Sequence, residues 1–199
     1  MFAQRAGALR CLVEAKRAGV IRAVGIATHS VSVVRAAAER DDIDVIFTIL
    51  NVKGLGILEG GRDEMVEAVR HAAARGKGLY VMKVFGGGNL LKDMKGALDY
   101  ATAFPEFASV CIGMVSVEEV AMNLAIFKGQ RAAPGPGQAD FREKRLKILS
   151  FCIGCGECVE TCPNLALSLV DEKASLDREK CILCGYCAPV CPKFAIRMV

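Results

Sequence analysis

Cys152-Ile153-Gly154-Cys155-Gly156-Glu157-Cys158-Val159-Glu160-Thr161-Cys162-Pro163 returns 29 residues later as Cys181-Ile182-Leu183-Cys184-Gly185-Tyr186-Cys187-Ala188-Pro189-Val190-Cys191-Pro192. Extended to Val170 and Val199, the two copies agree at nine of nineteen positions, so the tail is a duplicated unit and not a chance accumulation of cysteine. Each copy has the spacing C-x2-C-x2-C-x3-C-P. Three thiolates two residues apart, with Gly156 or Gly185 easing the backbone, can grip three irons of one inorganic core. Pro163 or Pro192 then turns the chain away, and the fourth cysteine reaches across to the other core. The spacing predicts two [4Fe-4S] clusters: one held by Cys152, Cys155, Cys158 and Cys191, the other by Cys181, Cys184, Cys187 and Cys162.

Zinc and disulfides are the ordinary uses of so many cysteines, and neither suits this pattern. Zinc knuckles pair two short halves around one metal, without a third close cysteine and a following proline. Disulfides need an oxidising compartment, and Met1-Phe2-Ala3-Gln4-Arg5 leads into mixed sequence with no apolar signal-peptide core. No apolar run approaches the roughly 20 residues of a membrane span, so a soluble, cytoplasmic protein is expected. The remaining cysteines, Cys11 and Cys111, stand in apolar sequence and are expected to be packing residues.

Upstream of the tail, Ala132-Ala133-Pro134-Gly135-Pro136-Gly137-Gln138 interrupts the periodic sequence and reads as a linker. The stretch 128–149 carries six Lys/Arg against two Asp/Glu, and residues 140–150 read as a basic helix. From 150 to 199 the balance is five against six, before any cluster charge is added. The basic stretch suits contact with the tail or with an acidic redox partner, and suits a solvated helix equally well.

Before the linker, apolar runs at 21–27, 44–50, 79–85 and 109–114 alternate with amphipathic stretches at 2–18, 31–40, 63–75, 89–100 and 117–127. Such alternation predicts a parallel sheet covered by helices. Leu9, Leu12 and Val13 mark the face of the first helix expected to lie on it. A chain of 199 residues, 53% hydrophobic, can bury a real core and is not expected to be disordered. Its net charge of +4, with the two signs interleaved, gives no nucleic acid or anionic membrane as a partner.

The tail resembles bacterial-type two-cluster ferredoxins along its whole length. The front half resembles aldo/keto reductases. Gly19-Val20-Ile21-Arg22-Ala23-Val24-Gly25-Ile26-Ala27-Thr28-His29-Ser30 is similar to their fifth strand, which reads G-x-I-R-x-(I/V)-G-(I/V)-S-x-H. Val81-Met82-Lys83-Val84-Phe85-Gly86-Gly87-Gly88 is similar to the seventh strand and its M-K-P-L-G-G-G loop, and 110–120 with Asn123 to the eighth strand and following helix. Several bacterial and archaeal members carry a C-terminal iron–sulfur domain. The resemblance covers residues 1 to about 128 and implies strands 5 to 8 of a TIM barrel. It also implies part of an NADP site, with Thr28 and His29 at the carboxamide, Gly86, Gly87 and Gly88 at the pyrophosphate, and Gly113, Ser116 and Asn123 at the adenosine end. Phe47, Val84 and Met122 depart from the family's Gln, Pro and Glu. The family's catalytic Asp, Tyr, Lys and His belong to strands one to four, outside the match, and no catalytic residue is assigned.

The expected architecture is α/β: a partial (β/α) barrel over 1–131, a Pro/Gly linker and basic helix over 132–149, and an α+β ferredoxin-like 2[4Fe-4S] module over 150–199 that folds by itself. The expected function is relay of single electrons within an aldo/keto-reductase-like redox protein. The alternatives are part of an NADPH-linked aldehyde or ketone oxidoreductase whose catalytic half is missing or supplied by another chain, and a noncatalytic subunit delivering electrons. Four units leave one sheet face and two edges bare, which predicts self-association, a redox partner protein or a chain supplying the missing barrel half.

Overall fold

Strands β1 (Gly25–Thr28), β2 (Val45–Ile49), β3 (Gly78–Met82) and β4 (Ser109–Val110) make a four-stranded parallel sheet whose spatial order is the chain order. This computed structural model describes residues 5–114, 116–129 and 145–199. The Pro/Gly stretch 132–138, residues 140–144 of the basic stretch after it and Val115 lie outside the described residues. The chain resolves into two compact units, Met1–Val84 with Leu98–Cys111, and Phe85–Ala97 with Ile112–Val199. Residues 85–97 are grouped with the tail.

In the first unit, side chains alternate across each strand. Ile46 and Thr48 of β2 and Leu79 and Val81 of β3 are buried. Phe47 and Tyr80, paired in register on the opposite face, are only half-buried, their rings stacked with centroids 4.2 Å apart. Helices α2 (Val31–Ala38) and α3 (Arg62–Ala74) lie against one another and the sheet. They bury Val31, Val34 and Ala37 from one helix and Met65, Val69 and Ala72 from the other. Full burial of a side chain such as Val34 or Met65 stabilises by about 1.5–3 kcal/mol. Each helix starts on a local signal: the Ser30 hydroxyl accepts the Val33 N–H at 3.2 Å, and the Glu64 carboxylate accepts the Gly61 N–H at 3.0 Å. Asp44 ties the sheet's entry together, accepting from Lys16 Nζ at 2.6 Å and from the Val24 N–H at 2.7 Å.

Several expectations are corrected. Helix α1 (Ala6–Arg17) buries no residue, and Leu12 on its predicted sheet-facing side is exposed. Cys11 and Cys111 are likewise exposed, Cys11 because its helix is uncovered and Cys111 because it follows the short edge strand β4. The helix expected over 89–100 begins later, as α4 (Met94–Thr102). Tight turns at Gly86–Gly88 and Leu91–Asp93 precede it, and Asp93 accepts the Gly96 N–H at 2.9 Å. Leu146–Ile148, expected within a basic helix, is strand β5. Its alternation puts Leu146 inside and Lys147 outside, and its hydrogen bonds go to β8 (Ile196–Met198), with Lys147 opposite Arg197.

The tail folds as its duplication directs. β5 pairs antiparallel with β8, while β6 (Leu167–Val170) pairs antiparallel with β7 (Lys173–Leu176), so each copy's flanking strands bond to those of the other copy. Backbone conformation repeats at the same interval. Gly156 and Gly185 have φ of 86° and 84°, Leu165 and Phe194 51° and 52°, and Gly154 and Leu183 63° and 52°. Leu146, Cys158, Leu167, Cys187 and Ile196 form one buried cluster between the two halves. Among the described residues, no helix is long and apolar enough to cross a membrane.

Candidate metal centres

The first cysteine loop leaves β5 and is braced by the β6–β7 hairpin. Asp171 and Glu172 both take the positive φ that a two-residue hairpin turn requires. Glu172's carbonyl comes so close to Gly154 that a Cβ there would stand 2.1 Å from it. Gly156 then opens the short helix α6 (Glu157–Thr161), which carries Cys158 into the core and ends at Cys162. The second loop starts where Asp177 Oδ1 accepts the N–H groups of Glu179 at 3.0 Å and Lys180 at 3.3 Å.

These loops gather the eight thiols into two sets. Cys152, Cys155, Cys158 and Cys191 line one solvent-open cavity of about 340 Å³, together with Ile153, Ala174 and Ile196. Cys162, Cys181, Cys184 and Cys187 line a second of about 330 Å³, with Leu146, Leu167 and Ile182. In each set three cysteines come from one run and the fourth from the other. Among the described residues, no three His, Cys, Asp or Glu side chains converge tightly enough for a single mononuclear ion. A cubane asks for a wider arrangement, because each thiolate holds a different iron. Four sulfurs in a mostly apolar wall, with Lys193 at the first cavity and Asn164 and Tyr186 at the second, are the donor set such a cluster takes.

Three sulfurs also accept backbone N–H groups: Cys162 from Ala166 at 3.3 Å, Cys191 from Ala195 at 3.2 Å and Cys152 from Ala174 at 3.5 Å. The first two bonds are repeat-related and belong to the two crossing cysteines. Hydrogen bonds to ligand sulfur offset negative charge and are one of the terms that set a cluster's potential. Burial pushes the Cys187 thiol up to about 11, with Cys184 beside it adding to the effect and Cys158 of the other set contributing further. Burial likewise raises Cys158 and Cys181, whereas the N–H groups of Ala174 and Gly154 lower Cys152. Buried thiols of this kind stay protonated at neutral pH until a metal displaces the proton. Cys155 is the thiol of the eight that is exposed.

The residues that the resemblance assigned to a nicotinamide cofactor are divided between the two units. Thr28 is buried, its hydroxyl accepting the Ser30 N–H at 3.1 Å. His29 is half-buried, and burial, followed by the positive charge of Lys83, holds its pKa below the ordinary imidazole value. Ser116 caps helix α5 (Val117–Phe127) by accepting the Glu119 N–H at 3.2 Å. Asn123 is buried with Nδ2 on the Glu119 carbonyl at 2.7 Å, and its Oδ1 has no partner among the described residues. Gly113 is exposed, with open space where a Cβ would stand. Gly86, Gly87 and Gly88 form a tight turn that meets the second cysteine loop.

Residues 151–195 match the family model of the 4Fe-4S dicluster domain. No curated protein matches the chain. The matched stretch contains all eight cysteines that line the two cavities. The C-terminal module is therefore an iron–sulfur, metal-binding domain of the class that serves electron transfer. Sequence reasoning found its thiols but missed the donors Ala166, Ala174 and Ala195. The recurrence of alanine four residues after each crossing cysteine was the available signal for two of them.

Proposed function

We propose that this protein relays single electrons through two [4Fe-4S] clusters, one held by Cys152, Cys155, Cys158 and Cys191 and the other by Cys181, Cys184, Cys187 and Cys162. The observation that carries the reading is the crossing of Cys191 and Cys162 into the cavities of the opposite runs. When bound, the pair of clusters supplies one-electron chemistry at each half of the module. The chain's own residues hold them in register. Cys158 and Cys187 share one buried core, so the two sites have a common apolar wall that excludes water between them. The N–H groups of Ala166, Ala174 and Ala195 temper the sulfur charge.

The consecutive order of the four parallel strands supports reading the front half as four β/α units of an aldo/keto-reductase-like redox protein. The half-buried face around Phe47 and Tyr80 suits a second copy, or a chain bringing further strands. No observation favours NADP binding, because Thr28 and Ser116 are engaged locally and Gly87 faces a carbonyl.

The test is Cys162→Ala in anaerobically purified protein. The spectroscopic signal of the second cluster, identified against Cys181→Ala, should be lost while that of the first persists. Loss confined to the first cluster would refute the crossed assignment.

A further inference from the structure

The two cysteine loops are repeat-related, yet they differ in how they are held. Ile153 in the first is 56% exposed, whereas its counterpart Ile182 is 3% exposed. Gly154 in the first loop sits on the carbonyl of Glu172, from the module's own hairpin. At the matching place the second loop has Leu183, which takes nearly the same left-handed φ but carries a side chain. The hairpin's backing is specific to the first loop.

The second loop is met instead by residues 86–89, nearly a hundred positions earlier in the chain and in the same compact unit. Asn89 Nδ2 donates to the Cys181 carbonyl at 3.1 Å and to the Gly86 carbonyl at 2.8 Å, closing its own turn and grasping the loop with one amide. Gly87, at φ 70°, lies flat on Ile182: a Cβ there would stand 1.7 Å from the Ile182 carbonyl oxygen and 2.6 Å from its carbon. Those are main-chain atoms, which cannot swing aside. Glycine is required by the approach as well as by the positive φ.

We infer that residues 86–89 are an external brace for the second cluster, with Asn89 as a positioning residue that fixes the Cys181–Ile182 peptide. The inference rests on the cluster reading above. In a trans peptide C=O and N–H point oppositely, so a carbonyl held toward Asn89 fixes the Ile182 N–H on the side away from residues 86–89. We take that fixed N–H to face the cluster, where it favours the reduced, more negative state. Without the brace the peptide is free to rotate, and the second cluster should become easier to lose and harder to reduce. The first cluster, backed by Glu172, should be indifferent.

The experiment uses the full chain, unaltered and as Asn89→Ala, Asn89→Asp and Gly87→Val, with Cys152→Ala and Cys181→Ala spectra assigning the two signals. Asn89→Asp keeps the size but cannot donate. In both Asn89 variants the second cluster should decay in air about fivefold faster, the worth of one such hydrogen bond, and its midpoint potential should fall. Gly87→Val should do the same more strongly. The first cluster's decay and potential should stay at the values of the unaltered chain. The unaltered chain is measured first. If it lacks two clusters, the cluster reading is overturned. If two clusters are present and the substitutions leave the second unchanged, or move both equally, the brace is overturned.

Discussion

Gly154→Ala tests how the first loop is held and separates two reasons for having glycine there. The backbone at Gly154 has φ 63°, where an L side chain costs about 1–2 kcal/mol. The repeat-related Leu183 bears a side chain at φ 52°, so the module tolerates that cost. What Leu183 escapes is the contact: a Cβ on Gly154 would lie 2.1 Å from the Glu172 carbonyl oxygen and 2.8 Å from its carbon. Relieving it means moving the hairpin turn, a rearrangement of the overpacking kind worth about 1–3 kcal/mol. The two terms together come to about 2–5 kcal/mol, and the lower end alone is a factor of about 30 in an equilibrium constant. The assay is the rate at which the visible absorbance of anaerobic protein bleaches in a fixed concentration of urea. The variant should bleach at least tenfold faster, and the first cluster should be the one lost. Bleaching at the unaltered rate, or selective loss of the second cluster, would refute the argument from Glu172.

Ile46→Ala empties a fully buried position under α2 and α3 and should cost about 2–5 kcal/mol in the front unit, read as faster amide exchange across β2 and β3. Asp44→Asn should cost about 1–3 kcal/mol at neutral pH by weakening the bonds from Lys16 and the Val24 N–H. Because those donors hold the folded carboxyl below its ordinary value, its contribution is present above about pH 4 and lost as pH falls through the depressed value. The protection factor of the Val24 amide, exchange corrected for its intrinsic pH dependence, should therefore fall with acid in the natural chain and not in Asp44→Asn. At tens of micromolar the protein should sediment as species heavier than its 21.3 kDa, and Phe47→Glu with Tyr80→Glu should restore the monomer. A sharp monomer of the unaltered chain would contradict the bare sheet face as an association surface.

What could be read from sequence was what repeats locally. The cysteine spacing marks the iron–sulfur module without reference to the rest of the chain, and the apolar runs of β2 and β3 are long enough to announce themselves. The failures have a common cause in partners distant along the chain. Leu146–Ile148 is a three-residue strand whose mate begins at Ile196, and three residues beside a basic stretch carry too little periodicity to separate strand from helix. The apolar stripe of α1 is a real feature of its sequence, but covering it depends on a neighbour that no pattern within the helix can specify. Cys11 and Cys111 look like core residues by composition and are exposed for the same reason. Gly86, Gly87 and Gly88, placed at a pyrophosphate by the resemblance, carry no signal in Gly-Gly-Gly-Asn that the carbonyls of Cys181 and Ile182 lie against this turn.

The central claim is that each four-cysteine cavity holds a cubane, and chemical analysis reaches it most directly. Protein purified without oxygen should contain about eight irons and eight acid-labile sulfides per chain. On reduction it should show the magnetic interaction of two neighbouring paramagnets, a signal that collapses to that of a single cluster in Cys181→Ala. Zinc in place of iron, or metal without sulfide, would contradict the account.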